Sequence, residues 1–309
     1  MDIIGKGRIF GLLSGLLVAL SIVIVVSPGL KLGIDFTSGS SVTYRWAEES
    51  PTTAQVRAAL IGAGHDEAVI QALGEGEFFI RLSDLGADGK EAVDEALSAI
   101  TDVAPETLDV TTVGRAVAED TVRNAITATI VASLFVMLYI MWAFRTVPQS
   151  YRYAIAAIVA LGHDVLITLG MFVVFGQAFN AEVNAIFIVG ILTVIGYSVN
   201  DTIIVFDRIR ENVRLAPGRA FRNNVNLSIN ETIIRSLGTS TTTLVVVVAM
   251  LLFGGVTLRD FLLVLIVGIV VGTYSSIFIA SNMLVAWNER GLRGLLSFGR
   301  RRSAPAEQG

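Results

Sequence analysis

Six apolar stretches separated by polar segments, one of them long, constrain this chain more than any other feature. A hydrocarbon core of about 30 Å takes roughly 20 helical residues to cross, and each stretch is close to that length. The predicted spans are Ile9–Val26, Ala125–Phe144, Ala154–Gly176, Ala185–Phe206, Leu237–Gly255 and Phe261–Trp287. With 53% hydrophobic and 16% charged residues, the chain is too apolar for a soluble protein of 309 residues. We therefore predict a multi-pass membrane protein.

The first span resembles a secretory signal at its start, because Lys6 and Arg8 precede it. Ser27-Pro28 is a poor cleavage site, since such sites need small residues in a set pattern. We expect an uncleaved anchor.

Arginines accumulate in the segments after the second, fourth and sixth spans, which all lie on the same side of the membrane. They are Arg145, Arg152, Arg208, Arg210, Arg214, Arg219, Arg222, Arg235, Arg290, Arg293, Arg300, Arg301 and Arg302. Cytoplasmic segments carry the excess of Lys and Arg in membrane proteins, so we expect both termini in the cytoplasm. The segment 28–121 then lies outside, and its acids outnumber its bases. Those acids include Glu48, Glu49, Asp66, Glu67, Asp94 and Glu95.

The outer segment changes its hydrophobic period in a regular order. Its alternating and helical patterns predict, in order, a strand, a helix, two strands, a helix and a strand. The predicted elements are Ser40–Trp46, Thr52–Ile61, Ala68–Leu73, Glu77–Leu82, Asp88–Ile100 and Thr107–Val113. This β-α-β-β-α-β order is that of a ferredoxin-like sandwich, so the predicted class is an α+β integral membrane protein. The alternative is an irregular loop.

Four regions follow from these boundaries. Residues 1–27 form the N-terminus and first span, 28–121 the outer domain, 122–288 the remaining spans with a cytoplasmic loop at 207–235, and 289–309 a basic tail. The formal charge of −4 gives no indication of nucleic-acid binding. There is no cysteine and there are two histidines, so disulfides and thiol catalysis are excluded and a Cys/His zinc site is disfavoured. We expect no cofactor and no metal.

Ionisable residues inside the spans are the candidates for function, because a charge in hydrocarbon is costly. His163 and Asp164 lie roughly 15 Å into the third span, and Asp201 about 8 Å from the cytoplasmic edge of the fourth. Asn200 precedes Asp201. Burial would move the pKa of a carboxyl, which is what a proton carrier requires. The alternative for all of them is structural, as hydrogen-bonding groups that join helices.

Two further patterns concern the last two spans. Arg235 precedes Thr239, Thr242 and Thr243 at helical spacing, which indicates a polar stripe with an arginine at its mouth; alternatively Arg235 is an interfacial charge paired with Glu231. In the sixth span, small residues recur every four positions and predict close helix packing. They are Gly268, Gly272, Ser276 and Ala280. The basic tail residues Arg300–Arg302 suit anionic lipid or an acidic ribosomal or channel surface.

Three motifs resemble those of the SecF proteins, in the SecD/SecF family of the RND superfamily. They are Gly33–Phe36 after the first span, Gly196–Thr202 continuing into Phe206–Asn212, and Gly272–Ser276 in the sixth span. The resemblance extends over nearly the whole chain, including the single large outer loop. The first motif departs from the usual glycine pair, because Ser38-Gly39 follows Thr37.

The resemblance implies a non-enzymatic half of an RND-type transporter in the bacterial inner membrane. Its partners would be SecD, supplied as a separate subunit, and the Sec channel of SecY, SecE and SecG. With SecD it would use the proton-motive force to draw a translocating polypeptide outward. In that family the residues matching Asp201 and Arg235 are associated with proton passage.

Two alternatives to this function remain at the level of sequence. A scaffold subunit would hold SecD and the channel together without conducting protons. Small-molecule efflux is a weaker alternative, because the second large outer loop of RND exporters is missing.

The predicted topology is testable by labelling single cysteines, since the chain has none of its own. Cysteines at Asp88 and Gly218 should react with a membrane-impermeant maleimide from opposite sides of the membrane. Labelling of both from one side would contradict the six-span arrangement.

Overall fold

The structure is a computed structural model that describes residues 1–47, 50–74, 76–83, 85, 89–147, 149–255 and 258–295, with side chains described as far as Glu289. Some of the residues named above are not among those that the structure describes. They are Glu48, Glu49, Asp88, the side chains of Arg290 and Arg293, and the tail arginines 300–302.

Within the described residues, six helical segments are long and apolar enough to cross a membrane, as predicted. Their helices are α1 (Gly7–Val26), α5 (Arg115–Ala143), α6 (Tyr151–Phe179), α7 (Ala185–Leu215), α8 (Phe221–Phe253), and α9 (Arg259–Ser275) followed by α10 (Ser281–Leu295). A one-turn helix α2 (Ile34–Thr37) follows α1.

The segment predicted to lie outside the membrane forms an α+β domain with the predicted β-α-β-β-α-β order. Its elements are β1 (Gly39–Arg45), α3 (Thr53–Gly62), β2 (Val69–Gly74), β3 (Glu77–Leu82), α4 (Gly89–Ser98) and β4 (Glu106–Val113). The sheet order is β2-β3-β1-β4 and every pair is antiparallel, which is ferredoxin-like topology. A reciprocal capping box starts α3, where Thr52 Oγ1 accepts from Gln55 N–H and the Gln55 side chain accepts from Thr52 N–H.

The α+β domain has its own hydrophobic core, separate from that of the helices. One face of β1 and β3 packs on α3 and α4, and Val42, Leu60, Ile80 and Leu97 are fully buried there. Tyr44 belongs to the same core, and its Oη donates to Asp94 Oδ1 at 2.6 Å. Burial, with this bond second, raises the pKa of Tyr44, so the phenol stays protonated.

In the helical bundle, α6, α7 and α9 form the centre. Half or more of the apolar part of each of these spans is buried, against 11% for α1 and 6% for α5. The apolar outer faces of α1, α5 and α8 suit contact with lipid or another membrane subunit. The α+β domain lies at the end of the bundle where α6 ends and α7 begins, because Leu32 bridges to Val183 there.

The helices extend further than the apolar stretches that predicted them. The expected loop 207–235 is mostly helical, since α7 continues to Leu215 and α8 begins at Phe221. Likewise α5 begins at Arg115, so the expected boundary after residue 121 falls inside a continuous helix. Hydropathy detects only the part of a helix that matches hydrocarbon thickness, so polar extensions are missed.

The sixth span is not one regular α-helix. A π-helical segment, Ser276–Ala280, joins α9 to α10. A π-turn holds more residues than an α-turn, so the four-residue spacing of small residues no longer follows one face beyond Ser275.

The separate core predicts that the fragment 32–113 folds alone with a cooperative thermal transition. In this fragment Leu60→Ala should lower the free energy of unfolding by about 2–5 kcal/mol, because Leu60 is fully buried. Ile61→Ala on the same helix should change it by less than about 0.5 kcal/mol, because Ile61 is 52% exposed. Urea titration followed by circular dichroism measures both, and equal losses would contradict this assignment of the core.

Candidate functional site

Two carboxylates lie fully buried in the centre of the bundle, Asp164 on α6 and Asp201 on α7. Both are near the middle of their helices. Asp164 is about 20 Å from the start of α6 and Asp201 about 21 Å from the end of α7, at 1.5 Å per residue. Asp201 lies further from the end of its helix than from the predicted edge of its span, because α7 continues past Phe206 to Leu215.

Asp164 has hydrogen bonds on both oxygens. Oδ2 accepts from Ser198 Oγ at 2.5 Å and from Ser275 Oγ at 2.7 Å, which connects α6 to α7 and α9. Oδ1 lies 2.9 Å from Nδ1 of the adjacent His163. The carboxylate is therefore held by three partners.

The His163 ring stacks at 6.2 Å on Tyr274 of α9. Its second nitrogen, Nε2, is buried and has no hydrogen-bond partner among the described residues. Tyr274 Oη accepts from Ser14 Oγ of α1 at 3.1 Å, which connects the ring pair to the first span.

Asp201 is held more loosely than Asp164. Its Oδ2 accepts long hydrogen bonds from Thr273 Oγ1 of α9 at 3.3 Å and from Ser240 Oγ of α8 at 3.4 Å. The two hydroxyls are 2.5 Å from each other, and Tyr197 Oη donates to Ser240 at 3.3 Å. Oδ1 is buried without a partner among the described residues. Only one of the two carboxylate oxygens of Asp201 therefore has hydrogen-bond donors among the described residues, so Asp201 is less completely satisfied than Asp164.

The two carboxylates belong to one arrangement, which we call the carboxylate cluster. Its members are Asp164, Ser198, Asp201, Ser240, Thr273 and Ser275. Ser198 and Asp201 are neighbours on one face of α7, and Thr273 and Ser275 lie opposite them on α9. The α7–α9 seam thus contacts both acids.

The seam is close-packed because α9 presents glycines to α7. A Cβ on Gly268 would lie 2.0 Å from Val194 Cγ2 and 2.8 Å from Val194 Cβ. A Cβ on Gly272 would lie 2.9 Å from Ser198 Cβ. Small residues allow helix backbones to approach in this way. Ser276 and Ala280 are also buried, but in the π-helical segment.

Arg235 and Asn200 lie outside the cluster, both exposed in this chain. Arg235 is within α8 rather than at its start, on the same outward face as Thr239 and Thr242. The suggested Arg235–Glu231 pair is absent among the described residues, because Glu231 pairs instead with Arg208 at 2.6 Å and also accepts from Asn212.

Sequence reasoning missed Ser240, and it included Thr273 and Ser275 only within the family motif Gly272–Ser276, without a contact to either acid. One signal for Ser240 was present, because small hydroxyl residues recur every four positions along α8 and all are buried. They are Ser228, Thr232, Ser236 and Ser240. Of the predicted threonine stripe, Thr239 and Thr242 are exposed and Thr243 is half-buried.

Two protein-family models match this chain. The family model "Protein export membrane protein SecD/SecF, C-terminal" matches residues 92–290, and "SecD/SecF GG Motif" matches residues 23–45. The chain belongs to the SecD/SecF family. The second match includes Ser38-Gly39, so the missing first glycine does not remove the motif.

Individual relatives agree with the family models. The SecF subunit of the protein translocase from Thermobaculum terrenum is 39% identical, with 94% of this chain and 95% of that protein covered. SecF from Rhodothermus marinus is 40% identical, with 90% of each chain covered.

A solved structure shares the fold. The crystal structure of Thermus thermophilus SecDF, a translocon-associated membrane protein, superimposes with a TM-score of 0.83 at 37% identity. The match covers 94% of this chain and 39% of that one. The recognition as SecF-like and the RND-type fold are thereby confirmed.

Two residues of the SecD/SecF glycine motif, Ser38 and Gly39, have positive backbone φ angles in this chain. Ser38 has φ 63° and ψ 165°, a region that L-residues rarely adopt. The following Gly39 has φ 132°, and a Cβ there would lie 2.6 Å from the Leu82 carbonyl oxygen. A glycine pair suits both positions, and here a serine occupies the first of them.

The α7–α9 seam yields a prediction in which packing opposes helix propensity. Alanine normally stabilises a helix over glycine by up to about 1 kcal/mol. Gly268→Ala should nevertheless lower the melting temperature of the detergent-purified protein, because the new Cβ overlaps Val194. Gly15→Ala on α1 is the matched control, since no atom lies within 4 Å of its Cβ position, and should not lower it. An unchanged melting temperature for Gly268→Ala would contradict close packing at this seam.

Proposed function

We propose that this chain, paired with a SecD subunit, uses the proton-motive force to assist Sec-dependent protein export. The observation that carries the proposal is Asp201, fully buried near mid-helix with one oxygen lacking a hydrogen-bond partner among the described residues. An acid in such a place can be protonated from one side and deprotonated to the other as its surroundings change. Each proton that crosses 100 mV releases about 2.3 kcal/mol.

The surroundings of Asp201 suit a change of state. Its bonds to Thr273 and Ser240 are long, and both hydroxyls can turn to donate or accept. Asp164 is held by shorter bonds to Ser198 and Ser275, which favours a positioning role in which it fixes α6 to the α7–α9 seam. We therefore assign proton binding to Asp201 and, with His163, a supporting role to Asp164.

The outward face of α8 supports pairing with a second membrane subunit. Arg235, Thr239 and Thr242 are exposed there although the helix is of spanning length. Polar groups in the hydrocarbon region are rarely left facing lipid, so a protein partner is the expected neighbour. The fused SecDF relative supports SecD as that partner. It is 36% identical, and this chain matches 39% of its length. Arg235 would then act at the subunit interface, and we propose the same for Asn200, which is exposed on α7.

The wider setting follows from the relatives. The related SecDF is described as translocon-associated, which supports contact with the SecY, SecE and SecG channel and with a translocating polypeptide. Since the relatives are named translocase subunits, we propose transport without covalent chemistry. The bacterial inner membrane is the proposed location, with both termini in the cytoplasm. Met1 lies beside the arginine-rich segment 207–235, because its carbonyl accepts from Asn226 and Asn230.

Asp201→Asn tests proton binding against the scaffold alternative. The amide keeps the size of the side chain but cannot titrate, so potential-driven stimulation of export should fall to the level seen without the subunit while SecD still co-purifies. Asp207→Asn is the matched control on the same helix, because Asp207 is 54% exposed, and should keep full stimulation. The assay is export into inverted membrane vesicles with and without a membrane potential. Full stimulation by Asp201→Asn with intact SecD binding would favour the scaffold.

Arg235→Lys tests whether the exposed arginine uses its shape as well as its charge. A guanidinium offers a planar fork of donors that an ammonium lacks, so we expect partial loss of stimulation in the same assay. Arg222→Lys, near the start of the same helix, should have no effect. Full stimulation by Arg235→Lys would show that only the positive charge at this position is needed, and not the shape of the guanidinium.

A further inference from the structure

Residues 180–184, between α6 and α7, contact both the α+β domain and residues 27–38, the stem that leads from α1 to that domain. On the stem, Gly33 N–H donates to Val183 O at 2.7 Å, and Val183 N–H donates to Lys31 O at 2.8 Å. Lys31 Nζ also donates to Asn180 Oδ1 at 2.9 Å. These bonds make a short parallel bridge between the stem and the 180–184 segment.

A strand of the α+β domain adds an ion pair to this bridge. Arg81, on the interior strand β3, lies 3.2 Å from Glu182 Oε2, and its guanidinium also donates to the carbonyl of Leu32. The two charged side chains are only 23% and 14% exposed. A pair this shielded is screened less by salt than a surface pair, so loss of either partner leaves a costly charge.

Two further charged residues, Asp260 and Lys31, act on Glu182 besides Arg81. Asp260, at the start of α9, accepts from Glu182 N–H at 3.4 Å, and Lys31 lies on the stem. Burial raises the pKa of Glu182, Arg81 and Lys31 act against this, and Asp260 adds to it. Arg81 is therefore the cation that holds this carboxylate next to a second acid.

Residues 180–184 connect the two helices that carry the buried acids. They join α6, which carries Asp164, directly to α7, which carries Asp201. Asp35, two residues beyond Gly33, accepts from Ala185 N–H at 2.7 Å and so holds the first turn of α7 as well. A shift of α7 against α6 must therefore move the stem and β3, or break these contacts.

We propose that the Arg81–Glu182 pair and the bridge at Val183 form the mechanical link through which a change at Asp201 moves the α+β domain. This inference rests on the proposed function, because it needs a proton-driven change in the bundle. Arg81 and Glu182 are positioning residues in it, since neither contacts the carboxylate cluster. The link makes the domain an output of the helices rather than a passive attachment.

The test measures domain position directly in the full chain with SecD, reconstituted in lipid vesicles. Spin labels on cysteines at Thr111 of β4 and Phe253 at the end of α8, both exposed, report the distance between domain and bundle. Imposing a proton gradient should shift this distance in the otherwise unaltered protein. Glu182→Gln should abolish the shift and the stimulation of export, and Arg81→Lys, which keeps the cation, should retain part of both.

Glu77→Gln is the matched control. Glu77 lies on β3, as Arg81 does, but its ion pair with Arg45 stays within the α+β domain. The substitution should leave the shift intact. A shift of full size in Glu182→Gln, or no shift in the unaltered protein, would overturn the link.

Asp201→Asn separates failure of the link from failure of the proposed function. Loss of the shift in Glu182→Gln but not in Asp201→Asn supports the link and moves the proton site elsewhere. Loss in Asp201→Asn but not in Glu182→Gln overturns the link and leaves the proposed function standing.

Discussion

A membrane interior supplies no water to polar groups, so each buried carboxylate needs its partners from neighbouring helices. In this chain several of the partners come from the close approach of α9 to α7, which the glycines at 268 and 272 permit, and Ser240 of α8 supplies another. Larger side chains there would push Thr273 and Ser275 away from the acids they contact. The packing of this helix pair thus places Ser198, Thr273 and Ser275 next to the two acids.

The two acids share this seam but differ in how completely they are satisfied. Asp164 accepts two short bonds from different helices and behaves as a structural joint between three helices. Asp201 accepts two long bonds on one oxygen and none on the other among the described residues. Incomplete satisfaction destabilises a fixed charge, and that property is what a reversible proton site uses.

The bundle and the α+β domain have separate cores, so they could move independently if only their two chain connections, the stem and Gly114, joined them. The contacts of residues 180–184 remove part of that freedom. They are polar and few, in contrast to the apolar packing within each core. Such a junction can hold one relative position and still rearrange at low cost, as transmission of movement requires.

The sequence by itself determined the six spans, the β-α-β-β-α-β order and the family motifs, because hydrophobic period and turn residues are local signals. It also drew attention to Asp201 and Asp164, because charges are rare in apolar runs. Only the tertiary structure decided which hydroxyls face these acids, and it placed Arg235 on the outer face of α8. The rotation of each helix about its axis sets these contacts, and it depends on packing against partners distant in the chain. The same reason explains Arg81 and Glu182, which are 101 residues apart and give no pairwise signal in sequence.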